Sequence, residues 1–231
     1  MTEEFDPIET SSPMHGFRGD PSSGDLPPLI PRGLTLAVSR ETGARGGSIG
    51  RRVARKLGWQ VYDQEMIQFL ANESSISIDL SDELSQLADE WIQEQFQVLS
   101  KKCDLSTSSE MTGVVRAILS LAASGNVVLI GRGAGFLIPP QMRLHVRLIS
   151  PIEERVKYLQ QWLRLTREEA VERASRLDRQ RSEYLRGALA TDPDDLHHYD
   201  LVLSSHALGE DLCVDILAEA ALKKNAVIWG S

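Results

Sequence analysis

The segment LTLAVSRETGARGGSIGRRVARKLGW, residues 34–59, begins apolar, turns glycine-rich and ends amphipathic. Its first part, Leu34 to Val38, is a short apolar run suited to a buried strand. Four glycines follow, Gly43, Gly46, Gly47 and Gly50. From about Gly47 a helical period sets in, with Ile49, Val53, Ala54 and Leu57 on one face and Arg51, Arg52, Arg55 and Lys56 on the other. Gly58 stands where a helix C-cap glycine belongs. Strand, glycine-rich loop and helix form a layout that binds phosphate. Small residues let backbone N–H groups curl around an anion, and the helix N-terminus adds its partial positive charge. The strict pattern G-x-x-x-x-G-K-[ST] is absent, and no lysine precedes Lys56. Arg40, Arg45 and Arg51 are the basic residues within reach of the loop. Ser48 stands where a phosphate-loop hydroxyl would hold Mg²⁺. The same residues also suit a plain turn that binds nothing.

Beyond this segment, Gln60 to Tyr62 reads as a short strand. Asp63 opens a helix from Gln64 to Asn72 whose Met66, Ile67, Phe69 and Leu70 are expected to face inward. Asp63 is either the N-cap of that helix or a ligand contact at the carboxyl end of a strand, where open α/β sheets place their sites. Residues 72–110 read as a helical insert, with Leu84, Leu87, Trp91, Ile92, Phe96 and Leu99 near helical spacing. Ser106-Thr-Ser-Ser109 caps a further helix that runs to about Ser124.

Val127-Val-Leu-Ile130 is a buried strand that runs directly into Gly131-Arg132-Gly133. Arg132 at a sheet edge suits bidentate contact with phosphate, or pairing with a carboxylate in a tight turn. Arg143 to Ile149 alternates as a strand, with His145 expected to be a satisfied structural histidine. Thr166-Arg-Glu-Glu169 is a capping box opening a helix to about Leu189. That helix carries Arg173, Arg176, Arg179, Arg181 and Arg186 with Asp178. Arg176 and Arg179 lie three apart and can meet one anion together, or else form a solvated face. A last strand at Asp200 to Ser204 and a helix from Leu208 to Leu222 follow. Strands alternating with helices imply a parallel sheet covered on both faces.

Composition narrows the classes. A 231-residue chain with 42% hydrophobic residues is large enough for a real core. Its net charge of -8 argues against wholesale nucleic-acid binding. No apolar run approaches the ~18 residues of a membrane span, and the N-terminus lacks a secretory pattern. Cys103 and Cys213 are isolated and read as reduced thiols, so a cytoplasmic protein is expected. Residues 1–33 hold six of the ten prolines and half of the net charge, which predicts a disordered acidic tail. The folded domain is then expected over residues 34–231.

Four blocks carry a resemblance: S-R-E-x-G-x-x-G-G-x-I-G from Ser39, K-L-G-W-x-x-Y-D from Lys56, V-L-I-G-R-G from Val128 and Y-D-L-V-L from Tyr199. In that order they resemble the cytidylate kinase-like family, a branch of the P-loop nucleoside monophosphate kinases. The resemblance implies a P-loop NTPase fold, a three-layer α/β/α arrangement with a parallel sheet, a helical acceptor-binding insert and a helical lid at residues 164–190. It implies phosphoryl transfer from ATP–Mg²⁺ to a nucleoside monophosphate or related small phosphate acceptor. Gly43, Ala44, Arg45, Gly46, Gly47 and Ser48 would cradle the donor phosphates, and Ser48 would help to hold Mg²⁺. Arg40, Asp63, Arg132, Asp178 and Arg181 would serve the acceptor. Arg45, Arg132, Arg176 and Arg179 would act on the transferred group, the last two from the lid. The chain departs from the family pattern at two places. True cytidylate kinases carry the P-loop lysine at a position that matches Gly46 or nearby, and many members of the branch carry an arginine directly after the paired glycines, whereas this chain has Gly47 before Ser48 and its arginine at position 45. Gly133 replaces the aspartate of G-R-D, so cytidine specificity does not carry over and the acceptor stays open. A nucleotide-binding regulatory module without transfer is the rival reading.

Overall fold

The computed structural model describes residues 30–72, 82–103 and 109–229. Five strands, β1 (Thr35–Arg40), β2 (Gln60–Tyr62), β3 (Val127–Ile130), β4 (Arg143–Ile149) and β5 (Leu201–Ser204), form one sheet in the order β2-β3-β1-β4-β5. Every pairing is parallel. The helices are α1 (Gly46–Leu57), α2 (Gln64–Asn72), α3 (Asp82–Lys102), α4 (Ser109–Ser124), the short α5 (Ala134–Leu137), α6 (Ile152–Leu163), α7 (Arg167–Leu189) and α8 (Ser205–Trp229). This is the three-layer α/β/α P-loop architecture expected from the sequence, with the glycine-rich loop joining the central strand to α1.

Alternation along the strands sends apolar side chains to both faces, as a covered parallel sheet requires. Leu36 and Val38 of β1 join Val146 and Leu148 of β4 beneath α1 and α8, with Val53, Cys213 and Leu217. On the other face, Ala37 and Leu129 pack with Ile118 and Leu119 of α4, Trp91 of α3 and Leu137 of α5. A third, small cluster of Val156, Leu159, Ala170 and Ala174 joins α6 to α7.

Local signals act as read. Gly58 takes a left-handed conformation at φ 70° and caps α1. Thr166 and Glu169 form the capping box of α7, each side chain bonded to the other's backbone N–H. The closing helix is longer than expected, and Gly209 breaks it at φ 74°, ψ 165°. Two side chains on α2 contradict the sequence expectation. Ile67 is fully buried and Leu70 half-buried, but Met66 and Phe69 are 46% and 64% exposed. Ile67, Leu70 and Ala71 share the face that meets α4, and the helix is too narrow to bury a second stripe. Trp91, Ile92 and Leu99 of α3 are buried, whereas Leu87 is not.

Residues 1–29 of the expected tail, the side chain of Leu84 and the cap at Ser106-Thr-Ser108 lie outside the described residues. Within residues 30–33, the Arg32 N–H donates to the Ala123 carbonyl and the Pro31 carbonyl accepts from Trp229 Nε1. Among the described residues no helix is long and apolar enough to cross a membrane. Cys103 and Cys213 are buried and free.

Candidate active site

The carboxyl ends of β1 and β3 lie side by side, and both lead into loops with positive φ. After β1, Gly43 sits at φ 87°, where an added Cβ would lie 2.8 Å from the Arg155 carbonyl oxygen. Only glycine fits both constraints. Ala44 is fully buried, and Arg45 occupies the N-cap of α1 at φ 58° without a side-chain cap. The first-turn N–H groups of α1 are therefore available to an anion. After β3, Gly131, Arg132 and Gly133 have φ of 91°, 54° and 71°. A Cβ on Gly131 would stand 2.1 Å from Arg40 Nη1, so glycine here lets the Arg40 guanidinium lie flat against the turn.

These loops and α7 enclose a cavity of about 280 Å³. Arg40, Arg132 and Arg181 line it, with Ser39, Gln64, Tyr184 and Tyr199 among the other walls. No hydrogen bond or ion pair joins the Arg40 guanidinium to any described residue. Burial, Arg181 and Arg51 together push its pKa down to about 10, against the pull of Asp63. Arg132 bonds to Gln68 Oε1 through Nη2, and its Nε is buried without a partner. Burial lowers Arg181 as well. Three cations share one poorly solvated space, one of them unpaired among the described residues, an arrangement whose charge suits an anion.

Helix α7 is seated on the glycine-rich loop. Asp178 accepts the Thr42 N–H and hydroxyl, each at 2.7 Å, and Arg155 Nη1 at 2.6 Å. Arg181 reaches Thr42 Oγ1 at 2.5 Å and Asp178 at 3.2 Å. Arg155 also donates to the Thr42 carbonyl and to that of Ser150. Asp178 and Arg181 thus stand together at the loop. Arg176 and Arg179 do not join them: both are exposed and neither lines the cavity. The face of α7 that meets the site is the one carrying Leu177, Asp178, Arg181 and Tyr184, and helical geometry turns Arg176 and Arg179 away from it.

Five further residues, Arg45, Gly47, Ser48, Arg51 and Asp63, stand apart from the cavity wall. Ser48 Oγ donates to Glu210 Oε2 at 2.8 Å, and Arg45 Nη1 pairs with Glu210 Oε1 at 3.1 Å. Arg45 also lies over the Tyr158 ring, 5.0 Å from its centroid. Gly47 faces the Arg51 guanidinium, whose Nη2 is 3.3 Å from the position of an added Cβ. Arg51 pairs in turn with Asp63 at 3.6 Å, and Asp63 accepts the Met66 N–H as the cap of α2. The cap reading of Asp63 is the one observed.

Sequence reasoning did not single out Thr42, Arg155, Gln68, Tyr184 or Glu210. Tyr184 lies three residues after Arg181, and that spacing was a usable signal. Glu210 and Arg155 meet the loop only through tertiary packing.

A family model described as the cytidylate kinase-like family matches residues 35–207. Among solved structures, an uncharacterized protein from Eubacterium ventriosum superposes with a TM-score of 0.62 at 14% identity, covering 82% of this chain and 98% of that one. That likeness is one of fold. A uronate isomerase of Corynebacterium glutamicum is 29% identical over 122 residues, which are 52% of this chain and 24% of that protein. The chain spans about a quarter of the length of this curated relative.

Proposed function

The chain belongs to the cytidylate kinase-like family, and from that premise we propose that it transfers a phosphoryl group from ATP–Mg²⁺ to a nucleoside monophosphate, CMP-like, or to a related small phosphate acceptor. The observation that carries this reading is the Arg40 guanidinium, unpaired among the described residues, beside Arg132 and Arg181 at the strand end that leads into the glycine-rich loop.

The residues present fit a nucleotide donor. The open first turn of α1 at Gly46 and Gly47 would take phosphate oxygens, and Arg51 supplies a cation against Gly47, beside the turn that lacks the lysine. Ser48 and Glu210 offer the hydroxyl and carboxylate oxygens that suit magnesium. When bound, the donor supplies the phosphoryl group. This chain's own residues position and neutralise. Arg40 and Arg132 hold the acceptor's phosphate, Arg181 bridges it to Thr42, and the Tyr184 and Leu185 wall excludes water. Phosphoryl transfer asks little more of a protein than placement and compensation of charge.

A second reading has an observation of its own. With glycine at position 47 and Asp178 on the Thr42 N–H, the same fold serves a nucleotide-binding regulatory module without transfer. One assay separates the two: ADP release from ATP–Mg²⁺ with CMP, dCMP, UMP, AMP and GMP offered in turn, beside a no-acceptor control. Acceptor-dependent turnover that disappears in Arg132→Ala supports the kinase. ATP binding without turnover supports the module.

A further inference from the structure

His145 is fully buried in β4, yet it makes two good hydrogen bonds. Its Nδ1 lies 2.8 Å from the His198 carbonyl oxygen, and its Nε2 lies 2.9 Å from Ser39 Oγ. A carbonyl can only accept, so the ring proton sits on Nδ1. Arg143 Nη1, 3.3 Å from the same Nδ1, is the weaker neighbour and leaves that assignment unchanged. Nε2 then has only a lone pair to offer, and the Ser39 hydroxyl must donate to it. Phe136 meets the ring edge-on at 4.8 Å, and the backbone N–H of His145 donates to Asp200 Oδ2. Burial and Arg143 push its pKa to about 3, so the ring stays neutral.

Ser39 also lines the arginine cavity. We infer that Ser39 is a specificity-determining residue of that cavity: with its proton committed to His145, its oxygen presents lone pairs alone and selects an anion that carries its own O–H or N–H donor. His145 is the positioning residue that enforces this. The matching chemical class is a protonated phosphate or a phosphomonoester with a donor beside its charge. A fully deprotonated oxyanion would set oxygen against oxygen at Ser39. This deepens the acceptor half of the proposed function and rests on its anion cavity, not on transfer.

Hydrogen phosphate and sulfate test it. At pH 8 both are dianions of similar size, and only phosphate carries an O–H. Titrating each while following the His145 Nε2 resonance by NMR reads the local site rather than the α1 terminus. We expect hydrogen phosphate to bind on the order of ten-fold more tightly than sulfate, the cost of one opposed polar contact. Ser39→Thr keeps that ratio, and Ser39→Ala brings it close to one. Should Ser39→Ala not fold, Ser39→Cys gives the same reading, because a thiol is a weak acceptor. Equal affinities in the wild type, an unchanged ratio in the variants, or no response to either anion overturns the inference. Selectivity without acceptor-dependent ADP release retires the kinase reading alone. Turnover with a ratio of one retires this inference alone.

Discussion

Asp178 accepts both the backbone N–H and the hydroxyl of Thr42, each at 2.7 Å, and so ties the arginine helix to the glycine-rich loop with one carboxylate. Asp178→Ala leaves Arg155 and Arg181 facing each other without it. Its side chain is 30% exposed, so the loss is moderate, roughly 1–3 kcal/mol. Thermal unfolding checks this, with a fall in Tm of about 2–4 °C per kcal/mol for a chain of this size. Limited proteolysis within α7 should rise in parallel.

Arg51 and Arg45 make opposite predictions about the missing lysine. Arg51 stands against Gly47, whereas Arg45 is turned aside onto Glu210 and Tyr158. Arg51→Ala is expected to weaken ATP binding about ten-fold, near 1.4 kcal/mol. Arg45→Ala should weaken it by clearly less. Equilibrium titration with ATP–Mg²⁺ compares them, and the reverse order would return the lysine's place to Arg45.

Arg40 is charged at a cost to the fold. Its folded pKa, about 10, lies below the ordinary arginine value, so the folded protein holds this proton less firmly than the unfolded chain does. The penalty is full below about pH 10 and fades as pH rises through that value. Arg40→Met should therefore raise Tm by a few degrees while abolishing anion binding in the cavity, as expected where stability yields to function. A variant that lost both would show Arg40 to be structural.

His145 gives the acid limb a testable slope. Its pKa falls from 6.5 to about 3 on folding, so the unfolded chain binds a proton that the native one refuses. The stability this provides is complete above pH 6.5 and is lost as pH falls toward 3, at up to about 1.4 kcal/mol per pH unit. Urea unfolding between pH 7 and 4 should show a shallower pH dependence for His145→Phe than for the wild type. The difference between the two isolates this residue from the carboxylates.

The legible parts of the site are those written locally. The apolar run before Gly43, the cap at Gly58 and the Thr166 capping box act through neighbouring residues, and they located β1, α1 and α7. Arg40 and Arg132 were legible because strand ends in a parallel sheet point toward ligands. The working face of α7 was not. Mean burial there is low, with only Ala170, Ala174 and Leu189 buried, so no apolar stripe showed which arginines turn inward. Asp178 and Arg181, expected to serve the acceptor, meet the loop, whereas Arg176 and Arg179, expected from their spacing to meet one anion, are exposed. Met66 and Phe69 failed for the converse reason. Apolar identity marks what can be buried, and the narrow contact with α4 had room for one stripe only.

The packing of α6 against α7 bears on how the site can open. Val156, Leu159, Ala170 and Ala174 form a core of their own, separate from both faces of the sheet. Arg155 on α6 and Asp178 on α7 are joined at 2.6 Å, and both grip Thr42. The two helices thus form a single jaw closing on a fixed anvil. The grip of Asp178 on Thr42 therefore governs the α6 end of the hairpin, whereas Leu189, with Tyr184 and Leu185 beside it, keeps the C-terminal end of α7 in the core on one face of the sheet.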